Sequence, residues 1–284
     1  MKIHHLLIAF FITATLPACT PIARTPLAPQ AAANIANVST KLAIPGDEII
    51  VRAQASNIAA TMGYGLLPAL IEGSINASRQ SELESLSAPF YASQQVDFRE
   101  IFSKSFNAEI KQQNILPPLQ FAASATGISK SILAEKKAGL KSDAAFFGLR
   151  IWYEFSPSLT QLLVFASAQL INNQAVEPVY KNELVYVSAA VSGDKPLDQW
   201  AHNHGEALAQ AFADSATVLA KLLKQDLAAP DNATVFSAAA QHAKINYLLP
   251  SPMPTAVEGH ITEKSDHRQT IRANIGALYS TPSN

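Results

Sequence analysis

Between Ala144 and Ser188 apolar residues fall on every second position. Phe147, Leu149, Ile151, Tyr153 and Phe155 alternate first, then Leu162, Val164, Ala166, Ala168 and Leu170, then Tyr180, Leu184 and Tyr186. Ser156-Pro157-Ser158 and the stretch from Asn172 to Pro178 separate the three runs. Successive period-two runs joined by turn-forming segments predict an antiparallel meander with one face buried.

Elsewhere the period changes to that of a helix. From Asp97 to Gln113 the residues Phe98, Ile101, Phe102, Phe106 and Ile110 share one helical face, and Asp97 suits the N-cap. Pro117-Pro118 ends that helix and opens a strand through about Ala123, after which Ser129 to Lys137 reads as a short helix. After Pro196 a long amphipathic helix runs to about Leu227, with Leu197, Trp200, Leu208, Ala211, Phe212, Leu219, Leu222 and Leu223 on one side. Shorter strands are predicted at Glu48 to Ala53, Gly259 to Glu263 and Gln269 to Ile275. The fold class expected is α+β, an antiparallel β-meander covered by long amphipathic helices in a single main domain over 47–228. Residues 229–284 read as a C-terminal extension with a short β-hairpin.

One segment fits neither pattern. Asn57 to Ile75 has a single charge, Glu72, and is interrupted by Gly63, Gly65, Pro68 and Gly73. A buried helix or helical pair is the first reading, because small residues allow close packing. A membrane-dipping or self-association surface is the second. A spanning helix is disfavoured by Glu72 and by the shortness of the uninterrupted run.

The N-terminus carries the most specific signal. Lys2 precedes an uncharged apolar run from Leu6 to Leu16 that is too short to span a bilayer, which needs roughly 20 residues. A basic start and a short apolar core mark a secretory signal over 1–18. It ends in Leu16-Pro17-Ala18-Cys19, which resembles the lipobox of bacterial lipoproteins. The resemblance implies cleavage between Ala18 and Cys19, diacylglycerol (palmitate-type) modification of the Cys19 thiol, and acylation of the freed amine. Two or three acyl chains hold a protein stably where one is marginal, at about 0.8 kcal/mol per buried methylene. Thr20, rather than Asp, after the cysteine implies an outer-membrane address with the domain facing the periplasm. Residues 19–46, rich in Ala, Pro, Asn and Thr, then read as the lipidated cysteine followed by a flexible tether.

Composition narrows the chemistry. Cys19 is the only cysteine, so neither an intramolecular disulfide nor a thiolate metal cluster can form. The formal net charge is −1, with no long basic block, which excludes nucleic acid as an expected partner. No GxSxG, SxxK, HExxH or CxxC pattern occurs. His202, His204 and Glu206 form the most ligand-like cluster, yet on a helix His204 turns away from His202, so a solvated helical turn is the better reading. Arg150, Trp152 and Glu154 lie on the opposite side of their strand from Ile151 and Tyr153 and form a candidate recognition face.

These features point to a membrane-anchored envelope lipoprotein with a non-catalytic binding or scaffolding domain and no cofactor. Its expected partners are the membrane through Cys19 and an envelope protein or a second copy. The pattern loosely resembles uncharacterised envelope lipoproteins carrying an α/β domain, which implies no biochemical role. Two alternatives remain open: an auxiliary lipoprotein of an envelope transport system, suggested by the 57–75 segment, and a periplasmic hydrolase using carboxylates drawn from separate parts of the chain.

Overall fold

The computed structural model describes residues 24–46, 50–51, 97–156, 158–229, 242–247 and 255–283, with a few positions between 74 and 85. The signal, Cys19 and, apart from Ser74, the 57–75 segment lie outside the described residues. The described chain is an α+β domain built on one mixed sheet.

The three alternating runs form β4 (Ala144–Phe155), β5 (Leu162–Asn172) and β6 (Tyr180–Val187), paired antiparallel in that order. Around this meander the sheet departs from expectation. On one side β1 (Asn37–Ala43) runs parallel to β4, with β3 (Ala123–Ser124) parallel beyond it, and β2 (Ile50–Val51) continues along the same edge of β4. On the other side β10 (Leu278–Pro282) runs parallel to β6, followed by the antiparallel series β9 (Arg268–Ala273), β8 (Thr255–Lys264) and β7 (His242–Tyr247). The sheet is therefore mixed rather than a plain meander.

Two expected boundaries are corrected by this topology. Residues 24–46, expected as tether, belong to the fold. Leu27 and Ile35 pack into the core, α1 (Pro29–Ala33) lies between them, and Leu42 and Ala43 of β1 have no exposed surface. The strands after residue 229 extend the same sheet instead of forming a separate extension.

Among the described residues two helices cover one face. Asp97 accepts a hydrogen bond from the Glu100 amide and opens the first, α2 (Phe98–Ile110). Ser129 does the same for Ile132 at the start of α3 (Lys130–Ala138), a helix that buries none of its residues. The long α4 (Pro196–Ala228) packs against α2 and the sheet. Beneath them the inward set of β4 to β6, from Phe147 to Tyr186, joins Phe98, Phe102, Phe106, Ile110, Leu219 and Leu223 in a single cluster. A run of aromatic contacts crosses this core: Phe102 to Phe106 at 5.5 Å, Phe106 to Phe121 at 5.5 Å, Phe121 to Phe147 at 5.7 Å and Phe147 to Tyr180 at 6.0 Å between centroids.

The sheet's other face carries a second buried cluster of Leu163, Phe165, Val185, Val187, Ile271 and Tyr279. Covering on both faces is why β4 reads Phe-Phe-Gly-Leu-Arg-Ile-Trp-Tyr-Glu-Phe, nearly continuous in apolar residues.

Candidate functional site

β4 sends Arg150, Trp152 and Glu154 to the same side, as the alternation predicts, but they do not make one exposed surface. Arg150 is exposed, with its guanidinium carbon 5.7 Å from the Trp152 ring centroid. Trp152 is half-buried and lies parallel to Phe165 at 5.2 Å. Glu154 retains 4 % of its exposure. The cross-strand partners explain the correction, because Trp152 faces Phe165 and Glu154 faces Leu163, both members of the second core cluster.

His202 to Gly205 is not a helical turn. The backbone leaves helical geometry there, with His202 at ψ 144° and with Asn203, His204 and Gly205 at φ 49°, 57° and 81°. Two successive non-glycine residues in the left-handed region carry strain of order 1 kcal/mol each or more. This kink separates the first two turns of α4 from its long remainder, and His202 and Glu206 border a shallow groove of about 520 Å³ with Ser192, Gln199 and Gln210. Among the described residues no three His, Cys, Asp or Glu side chains gather to hold a metal ion.

A second groove, of about 530 Å³, runs between α4 and the C-terminal strands. Lys221, Lys224 and Gln225 line its helical wall, Glu109 of α2 closes it, and Glu263, Arg268, Thr270 and Ser280 form the sheet side. Lys224 pairs with Glu109. Arg268 is held in place: Nε donates to Ser280 Oγ at 3.0 Å, Nη2 donates to the Val187 and Ser280 carbonyls at 2.9 and 2.8 Å, and the guanidinium lies 4.5 Å from the Tyr186 centroid. The Tyr186 hydroxyl pKa is raised by burial, with the Arg268 charge opposing. A fixed planar cation beside two lysines and two carboxylates suits binding of a polar or mixed-charge surface. No sequence pattern marks this groove, because its wall combines α2, α4, β8, β9 and β10.

No protein-family model and no characterised protein matches the chain.

The most heavily bonded polar centre is buried. Asp226, near the end of α4, has no exposed surface. Its Oδ1 accepts from Arg24 Nε at 2.9 Å and Arg272 Nη1 at 2.6 Å, and its Oδ2 accepts from Tyr180 Oη at 2.9 Å and Asn182 Nδ2 at 2.7 Å. Arg24 Nη2 also donates to the Asp226 carbonyl at 3.0 Å. Burial first, then the Asp226 charge, raises the Tyr180 hydroxyl pKa well above its ordinary value of 10.0. The phenol therefore stays a donor, which suits a structural clamp joining the N-terminal segment, β6, β9 and α4. Nothing in the sequence-based reading singled out Arg24, Asp226 or Arg272.

Proposed function

We propose that this chain is a lipid-anchored protein of the bacterial envelope whose α+β domain binds a partner rather than performing chemistry. The observation that carries the reading is the run Leu16-Pro17-Ala18-Cys19 at the end of a short apolar segment, with Cys19 the sole cysteine. The groove between α4 and the C-terminal strands supplies a place for an envelope protein or a second copy to dock, with Arg268 as its fixed cation. Thr20 favours the outer membrane, with the domain in the periplasm.

The test is metabolic labelling with palmitate of the full chain and of Cys19→Ser, followed by crosslinking in intact cells. The anchored reading requires label and membrane association in the wild type and neither in Cys19→Ser. Crosslinked species that disappear with Lys221→Glu or Lys224→Glu support binding through the groove. A domain that crosslinks to nothing and stays monomeric removes the binding reading and leaves only the anchor.

A further inference from the structure

Arg24 is buried and bonded to Asp226, so the fold begins almost at the lipid site. The roughly five residue steps from Cys19 to Arg24 can span at most about 18 Å even when fully extended. An acylated Cys19 therefore holds one particular end of the sheet close to the bilayer instead of letting the domain range on a long tether.

The end concerned is defined by what surrounds Arg24. Its amide donates to the Ile275 carbonyl in the β9–β10 turn, and Thr25 pairs with Lys181 at the start of β6. The β5–β6 loop and the turn entering β4 lie at that same end, since Ala145 pairs with Asn172 and Leu170 with Tyr180. From Thr25 to Thr40 the chain along this end has no charged residue.

The second observation is Val176 at the tip of the β5–β6 loop. It is 89 % exposed, the one large hydrophobic so exposed among the described residues. The loop that presents it is fastened down. Lys137 Nζ donates to the Val176 carbonyl at 3.0 Å, Asn173 Nδ2 to the Leu140 carbonyl at 3.0 Å and Gln174 Nε2 to the Ser142 carbonyl at 3.3 Å. Lys136 and Lys141 are exposed in the segment of chain that holds this loop, along with Glu135 and Asp143, and Glu177 follows Val176, so with Lys137 the cations and carboxylates balance.

We infer that this end of the domain is a membrane-contacting surface: Val176 enters the headgroup region of a phospholipid bilayer, while the Arg24–Asp226 clamp fixes the orientation. The inference rests on lipidation of Cys19. An apolar tip among balanced charges suits the interfacial layer, where the side chain leaves water while ammonium and carboxylate groups stay among zwitterionic headgroups. The groove around Arg268, beside the far end of β6 at Val187, then faces away from that membrane.

The test uses the full chain, matured in a bacterial host, purified with its lipid and reconstituted into vesicles of phosphatidylethanolamine and phosphatidylglycerol. A polarity-sensitive fluorophore is placed by Val176→Cys and, at the opposite end, by Asp194→Cys. Quenching by nitroxide-labelled lipid is expected to be severalfold stronger at 176, with a blue-shifted emission there. Equal quenching at the two sites, with palmitate incorporated at Cys19, overturns the orientation and leaves the anchor intact. Absence of palmitate overturns both.

Discussion

Arg24 Nε donates to Asp226 Oδ1 at 2.9 Å, joining residues 202 positions apart with neither side chain exposed to solvent. The contact closes the described chain on itself. It fastens the N-terminal segment of the described chain to the last turn of α4, and through Arg272 to β9. A carboxylate facing two guanidiniums, a phenol and an amide is fully desolvated, so its worth is best measured by removing it.

Asp226→Asn keeps the side-chain shape and removes the charge that both arginines face. Breaking a buried pair by deleting one partner costs about 3–5 kcal/mol, because the other charge stays buried without compensation. Urea unfolding of Cys19→Ser with and without Asp226→Asn, followed by the fluorescence of buried Trp200, should show a loss of that size. A change of less than about 1 kcal/mol, the size of one ordinary hydrogen bond, would show that the cluster relaxes at little cost.

Gly276 guards the same clamp from the other side. Its φ of 92° suits glycine, and a Cβ there would stand 2.4 Å from Arg24 Cβ. Gly276→Ala is therefore expected to cost about 1 kcal/mol or more from backbone strain and to dislodge Arg24 as well. Trypsin reads this directly, since cleavage after Arg24 requires that residue to leave its buried site. Cleavage should be slow in the wild type, fast in Gly276→Ala and slow in Gly193→Ala, whose glycine also has positive φ but stands away from Arg24.

The helix-facing half of the core was legible from periodicity alone. Every alternating residue from Phe147 to Tyr186 sits where period two places it, and Asp97 and Ser129 cap the helices as their side chains suggest. Alternation alone predicts one wet face and so exposes Trp152 and Glu154, whereas Phe146, Leu163, Phe165 and Val185 bury the opposite parity as well. β1 was hidden differently. Asn-Val-Ser-Thr-Lys-Leu-Ala has weak local character, and it is held by parallel pairing to β4, a contact between segments about a hundred residues apart. The Asp226 cluster had no local signature, since each of its members is an ordinary polar residue until the fold brings them together.

Arg268 allows structural and binding roles to be separated. Arg268→Lys keeps the charge but loses the planar fork that bonds Ser280 and Val187 and lies over Tyr186. A loss of about 1–2 kcal/mol in unfolding free energy is expected from the missing hydrogen bonds and the weaker ring contact. Lys221→Ala, on the groove's helical wall, should leave stability within about 0.5 kcal/mol. If the groove is the docking surface, both substitutions reduce crosslinking to the partner. If Arg268 is structural only, Arg268→Lys lowers stability while crosslinking is unchanged.

Glu183 makes stability depend on pH in the direction opposite to a stabilising carboxylate. Burial raises its pKa from 4.5, Lys181 two residues along β6 opposes the rise, and its direct neighbour across β5 is the uncharged Ser167. A carboxyl whose folded pKa exceeds its unfolded one favours folding fully below the unfolded value and loses that contribution as pH rises through the folded value. Glu183→Gln should therefore be more stable than wild type at neutral pH, with the advantage vanishing below about pH 4, where both forms are neutral. Tyr279 supplies a second readout. Its pKa is pushed up to about 12 by burial and then by the Glu183 charge, so its contribution to the fold is full below the ordinary value of 10.0 and is lost as pH rises from there through about 12. In Glu183→Gln the tyrosinate absorbance should develop at lower pH than in wild type. Unchanged titration, with unchanged stability at neutral pH, would show that water already solvates Glu183 well enough to remove the penalty.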